Sequence, residues 1–210
     1  MKPHFTTTRP RLETSPPHHS RTGMLFHWST TALVLFEFAT ALSFGRFNPG
    51  EAGYFRAAYR MHMSAGMGLL ALSLSFVGWR LLHSQLPLPR DMNAVMRVLA
   101  KGAHILLYIF IIAVPATGWI ILSARNSPAY WFGELHRPSL TFLARLTYEQ
   151  QVRIHDLLLP MHSRLSYLGL GLIGLHVGAS LYHHFWRGDA VLLRMLPVAR
   201  NRSDVTQDPE

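Results

Sequence analysis

The chain has 210 residues, enough for one domain; 49% are hydrophobic and only 15% charged, against about 25% charged in an ordinary soluble domain. Its net charge of +9 is scattered through tails and connections, which speaks against nucleic acid as a partner and for anionic lipid headgroups. The absence of cysteine excludes disulfides, thiolate metal sites and the C-x-x-C-H attachment of a c-type haem.

Residues 1–20, with Pro3, Pro10, Pro16 and Pro17 among Thr, His and Arg, lack apolar periodicity and predict a disordered cytoplasmic tail. Ala39-Thr40-Ala41 faintly resembles a signal-peptide cleavage site, but the apolar run before it is too long for a signal h-region, so an uncleaved span is expected. Span one, at about 22–45, holds a single charged residue, Glu37, and carries His27 near its start. Span two, at about 58–83, begins with His62 and ends near Arg80, with no charge over 61–79. Span three, at about 99–124, opens on His104, is free of charge over 102–124 and contains Pro115, which predicts a kink. A long connection, 125–160, leads to span four at about 160–186, which carries His162, His176 and His183 and has no Asp, Glu, Lys or Arg over 165–186. Each apolar run exceeds the 18 or so residues needed to cross a bilayer. The expected fold is an all-α integral membrane four-helix bundle over 21–198, followed by a disordered tail at 199–210.

Orientation follows from basic residues near span ends. Twelve Lys and Arg lie on the side of the termini and eight on the opposite side, which predicts that both termini are cytoplasmic. Trp28, Trp79, Trp119 and Trp186 lie at or near span ends, as an interfacial aromatic belt requires.

Alternate spans reverse direction, so histidine depths can be matched. His27 and His176 fall near the cytoplasmic face, and His62 and His162 near the opposite one. His162 and His176 are fourteen residues apart, about 40° short of four turns and about 21 Å along the axis, so they share a helix face. Two imidazoles from different helices at one depth can grip a haem iron from both sides, and neutral imidazole puts no charge into lipid. A lone histidine at a span end could equally snorkel to headgroups; the case rests on four positions agreeing. A metal transporter would add carboxylates near the midplane, where only Glu37 is available. Gly66, one turn from His62, and Gly169, Gly171, Gly174 and Gly178 around His176 suit either a flat porphyrin or close helix packing.

Five pieces in order, Arg21 ahead of LFHW (25–28), YRMHMSAG (59–66), LAKGAHILLYIFIIAVPATGW (99–119), MHSRLSYLGLGLIGLHVGASLYHHFW (161–186) and RGDAVLLRMLP (187–197), resemble the bacterial cytochrome b561 family of four-helix di-haem membrane proteins. The resemblance covers about 20–198 and implies two b-type haems between the helices, with the family's bis-histidine ligands falling on His27, His62, His162 and His176. It also implies a quinone, ubiquinone or another, exchanging electrons near one haem, and it includes quinone-linked superoxide oxidation. His104 and His183 lie toward the cytoplasmic face and are the candidate quinone contacts; His184, about 100° away, reads as interfacial. Arg80 is a candidate propionate contact, although snorkelling to lipid phosphate is the simpler reading. Glu37 suits a proton route or a polar contact with another helix, the second being favoured.

The expected function is therefore electron transfer across the bacterial inner membrane between a quinone and an external donor or acceptor. Superoxide, another small molecule or a soluble redox protein could fill that external role. The chain is read as a quinone-linked oxidoreductase in which the cofactors carry the chemistry and no catalytic side chain is assigned. The rival class is a membrane-anchoring cytochrome b subunit of a dehydrogenase or hydrogenase complex.

Overall fold

The computed structural model describes residues 20–44, 52–83, 94–125, 130–131, 135–136, 139–188 and 192–196. The terminal tails expected at 1–20 and 199–210 fall outside these, apart from Ser20. Four helices make up the fold: α1 (Arg21–Ser43), α2 (Ala52–Leu82), α3 (Ala94–Ala124) and α4 (Tyr148–Phe185). All four are long and apolar enough to cross a membrane, so the chain is a multi-pass, all-α membrane bundle. Between α3 and α4, Tyr130–Trp131 pairs antiparallel with Leu135–His136, and Leu143–Arg145 forms a 3-10 turn.

Local chemistry sets the helix starts. Ser20 Oγ accepts from the Gly23 backbone N–H at 3.1 Å and caps α1. Thr147 and Gln150 form a reciprocal capping box that starts α4 twelve residues before the expected span at 160. Hydropathy reports where the chain can dissolve in lipid, whereas the cap decides where the helix begins. At 38 residues α4 is about 57 Å long, well beyond the ~30 Å hydrocarbon core, so its polar first turns project outside. Pro115 lies inside α3 and Pro160 inside α4; helix continues on both sides, with the Ile111 and Asp156 carbonyls deprived of their usual donor.

The helices pack in chain order, α1 on α2, α2 on α3 and α3 on α4; α1 and α4 make no comparable backbone contact, leaving a slot across which side chains meet. Glycine permits two of the close approaches. A Cβ on Gly23 would stand 3.0 Å from Trp79 Cη2, and one on Gly169 would stand 3.4 Å from Phe110 Cδ1. The interior is small and partly polar, with Leu69, Leu70, Phe76 and Ile121 buried beside Ser64, Ser73, Thr117 and Ser123. Leu25, Leu35, Leu106, Ile109, Leu168 and Leu175 face outward, a liability in water and the expected face toward lipid.

One end of the bundle, here the near end, gathers the start of α1 and the segment after α4, because Trp28 Nε1 donates to the Met195 carbonyl at 2.7 Å. Arg187 Nη1 also reaches Met96 Sδ there, at 3.7 Å. At the far end Ser123 Oγ accepts from the Leu140 N–H at 3.2 Å, and Gln151 Nε2 donates to the Leu146 carbonyl at 3.1 Å, tying the connection to α3 and α4.

Candidate functional site

At the far end α2 presents His62 and α4 presents His162, with ring centroids 6.3 Å apart. His62 Nδ1 lies 2.8 Å from Glu37 Oε2, with the Glu37 carbonyl and Thr40 Oγ1 each at 3.3 Å. His162 Nδ1 lies 3.0 Å from the Val114 carbonyl and 3.0 Å from Thr117 Oγ1. A carbonyl can only accept, so both imidazoles donate from Nδ1 and keep the Nε2 lone pair for another partner. Thr117 Oγ1 spends its own proton on the Val114 carbonyl at 2.6 Å, which leaves its lone pairs facing His162. Gly118 gives His162 room, since a Cβ there would stand 3.3 Å from His162 Cε1.

At the near end α1 presents His27 and α4 presents His176, with centroids 6.5 Å apart. A third imidazole, His104 of α3, stands edge-on to His176 at 5.3 Å, its Nδ1 donating to the Ala100 carbonyl at 2.6 Å. Arg80 lies within electrostatic reach of His27, its guanidinium 5.6 Å from the Tyr108 ring centre and 6.0 Å from that of Phe76. Phe26 stacks on Phe76 at 5.4 Å and leans on Trp79 at 5.9 Å, so Arg80 rises from an aromatic platform. His183 meets the ring of Tyr182 at 6.1 Å, and His184 that of Phe185 at 4.8 Å.

Each pair is spaced so that a haem iron could be held between its two imidazoles. A metal–imidazole bond of about 2.1 Å on each side, with roughly 1.1 Å from nitrogen to ring centre, puts two axial rings about 6.4 Å apart. The observed 6.3 and 6.5 Å lie on either side of that value. The glycines divide. A Cβ on Gly171, Gly174 or Gly178 would meet nothing within 4 Å, so no neighbouring atom among the described residues requires glycine there. Gly169 is a packing glycine against Phe110, and Gly66 backs onto Glu37, whose Oε2 would lie 3.5 Å from a Cβ there.

Glu37 thus makes a polar contact with another helix, and its partner is His62. Thr40, Val114, Thr117 and Gly118 were not singled out by sequence, although a threonine two residues after Pro115 inside an apolar run was a signal available to read.

A family model described as prokaryotic cytochrome b561 matches residues 18–198. The chain is 27% identical to cytochrome b561 homolog 1 of Escherichia coli (strain K12) over 178 residues, covering 85% of this chain and 96% of that protein. Against cytochrome b561 homolog 2 of the same organism it is 26% identical over 183 residues, 87% of this chain and 93% of the other. It is 28% identical over 176 residues to a probable superoxide oxidase CybB of Yersinia pestis, 83% of this chain and 93% of that one.

Proposed function

The chain belongs to the prokaryotic cytochrome b561 family, and from that premise we propose that it carries electrons across a bacterial inner membrane between a quinone and an external donor. Electron transfer by a b-type cytochrome is the general role of the family. The proposal adds two haems per chain, one held by His27 and His176 and one by His62 and His162. The observation that carries it is the pair of ring separations, 6.5 and 6.3 Å, set about 21 Å apart on one helix. Haem iron, when bound, supplies one-electron exchange.

The protein's own residues do the rest. The hydrogen bonds at Nδ1 of His62 and His162 fix the tautomer that offers Nε2 to a metal. His104 is the candidate quinone contact, and His183 a second one further along α4. With His104 Nδ1 committed to the Ala100 carbonyl, Nε2 accepts from a quinol hydroxyl or, once protonated, donates to a quinone oxygen. Arg80, on its aromatic platform, is the candidate partner for a haem propionate.

Superoxide is the proposed external donor, supported by the name of the Yersinia pestis relative and by charge. With both termini cytoplasmic, the outer side carries eight Arg against Glu51, Glu134, Glu149 and Asp156, a surface that steers anions. Two superoxide anions give up two electrons and leave two dioxygen molecules; a quinone takes two electrons and two protons to become a quinol. The test is purified protein supplied with superoxide and a short-chain ubiquinone. Quinol formation, with two haems per chain by pyridine haemochrome assay, is expected. Stoichiometric copurification of a soluble dehydrogenase, with no quinone reduction by the chain alone, would instead assign it to an anchoring cytochrome b subunit.

A further inference from the structure

Glu37 is the one charged residue in 22–45, and its carboxyl is mostly buried, with Oε2 on His62 and Oε1 without a hydrogen-bond partner among the described residues. A buried, half-satisfied carboxylate in a membrane helix is costly. Helix packing does not require it, since Thr40 Oγ1 and the Glu37 carbonyl already face the same His62 nitrogen. The acceptors at His162, a carbonyl and a hydroxyl, are both neutral.

We propose that Glu37 is a positioning residue that sets the redox potential of the far-end haem through His62. The inference rests on the reading of His62 as an axial ligand. A carboxylate accepting from Nδ1–H draws that proton toward itself and gives the ring imidazolate character, which makes Nε2 a stronger donor. A stronger donor, and a negative charge one ring away, both stabilise the oxidised and more positive iron over the reduced one. Glu37 therefore lowers the far-end potential and leaves the near-end one, about 21 Å off along α4, almost untouched. Gly66 of α2 borders the carboxylate, a Cβ there standing at an ordinary contact distance of 3.5 Å from Oε2.

The experiment is a spectroelectrochemical titration of the full-length, haem-loaded protein, with electron paramagnetic resonance of the oxidised form. The far-end component is identified as the one missing in His62→Ala. Glu37→Gln keeps an acceptor for Nδ1–H and removes the charge. It should retain both haems, raise the far-end midpoint by about the 59 mV of a tenfold change in a one-electron equilibrium, and shift that haem's low-spin signal alone. Glu37→Asp keeps the charge but draws it back by one methylene, so its midpoint should lie between those of the native protein and Glu37→Gln. An unmoved far-end midpoint in Glu37→Gln, or equal movement of both midpoints, overturns the proposal. Should Glu37→Gln shed haem, Glu37→Asp carries the test, and an unmoved midpoint there overturns it. If His62→Ala keeps two low-spin haems, the ligation reading fails; if it loses one low-spin component while Glu37→Gln moves nothing, only this inference fails.

Discussion

The two ends of the bundle hold their histidine pairs in different ways. At the far end both Nδ1 atoms are clamped by acceptors from a neighbouring helix, Glu37 and Thr40 on α1 for His62, Val114 and Thr117 on α3 for His162. At the near end neither His27 nor His176 has a side-chain hydrogen-bond partner among the described residues. Their surroundings are another imidazole, a guanidinium and aromatic rings. Clamped imidazoles suit a site where geometry and potential must be held. A site rimmed by His104 and Arg80, both able to make further polar contacts, suits exchange with a molecule that enters.

The largest expected effect separates the ends outright. His62→Ala and His162→Ala should each abolish the same low-spin spectral component, and His27→Ala and His176→Ala the other, whether that haem is lost or stays bound. Iron left with one imidazole should turn high-spin, visible by electron paramagnetic resonance. Perturbation of one and the same haem by His27→Ala and His62→Ala would sink the pairing and the contrast built on it.

His104→Ala tests the exchange role of the near end. Quinone turnover should fall by about 10²-fold, a usual worth for a proton-transferring side chain, with both haems retained. Loss of the near-end haem, or unchanged turnover, would make His104 a structural neighbour of His176 instead.

Much of this contrast was legible in the sequence, and the rest was hidden for identifiable reasons. The apolar runs gave the four spans, because lipid solubility is a property of composition. Direction reversal at each span brought His27 to His176 and His62 to His162, because depth is a property of position along a span. Rotational register between helices is not such a property. Glu37 could be placed within a span, but only the packing of α1 on α2 shows that its carboxyl meets His62, and Gly66, which suited either a porphyrin or close packing, lies against that carboxyl. The early start of α4 was readable in Thr147-Tyr148-Glu149-Gln150, a capping signature that hydropathy alone passes over.

A smaller effect probes the clamp at His162 from the side. Gly118→Val would drive its branches at an imidazole already 3.3 Å from a bare Cβ and unable to swing away without leaving the Val114 carbonyl. Overpacking of this kind costs about 1–3 kcal/mol. Thermal unfolding should come earlier and far-end haem occupancy should drop, with the near-end component intact. An equal loss at both ends would mean that Gly118 serves the α3–α4 contact as a whole.

The smallest effect ranks the partners within the clamp. Thr117→Val removes the hydroxyl that sits 3.0 Å from His162 Nδ1 but keeps the shape of the side chain. The Val114 carbonyl remains to accept from Nδ1, and it is freed from the Thr117 hydroxyl that shared it at 2.6 Å, so it becomes the better acceptor. One contact is lost and the other strengthens, so the stability cost should stay within the roughly 0.5–1.5 kcal/mol of a single neutral hydrogen bond. The far-end midpoint should move less than in Glu37→Gln, because no charge is removed. The comparison is made by titrating the two variants side by side under one set of mediators. A larger movement in Thr117→Val would reverse the ranking and make the neutral acceptors at His162, rather than the carboxylate at His62, the main control on that haem.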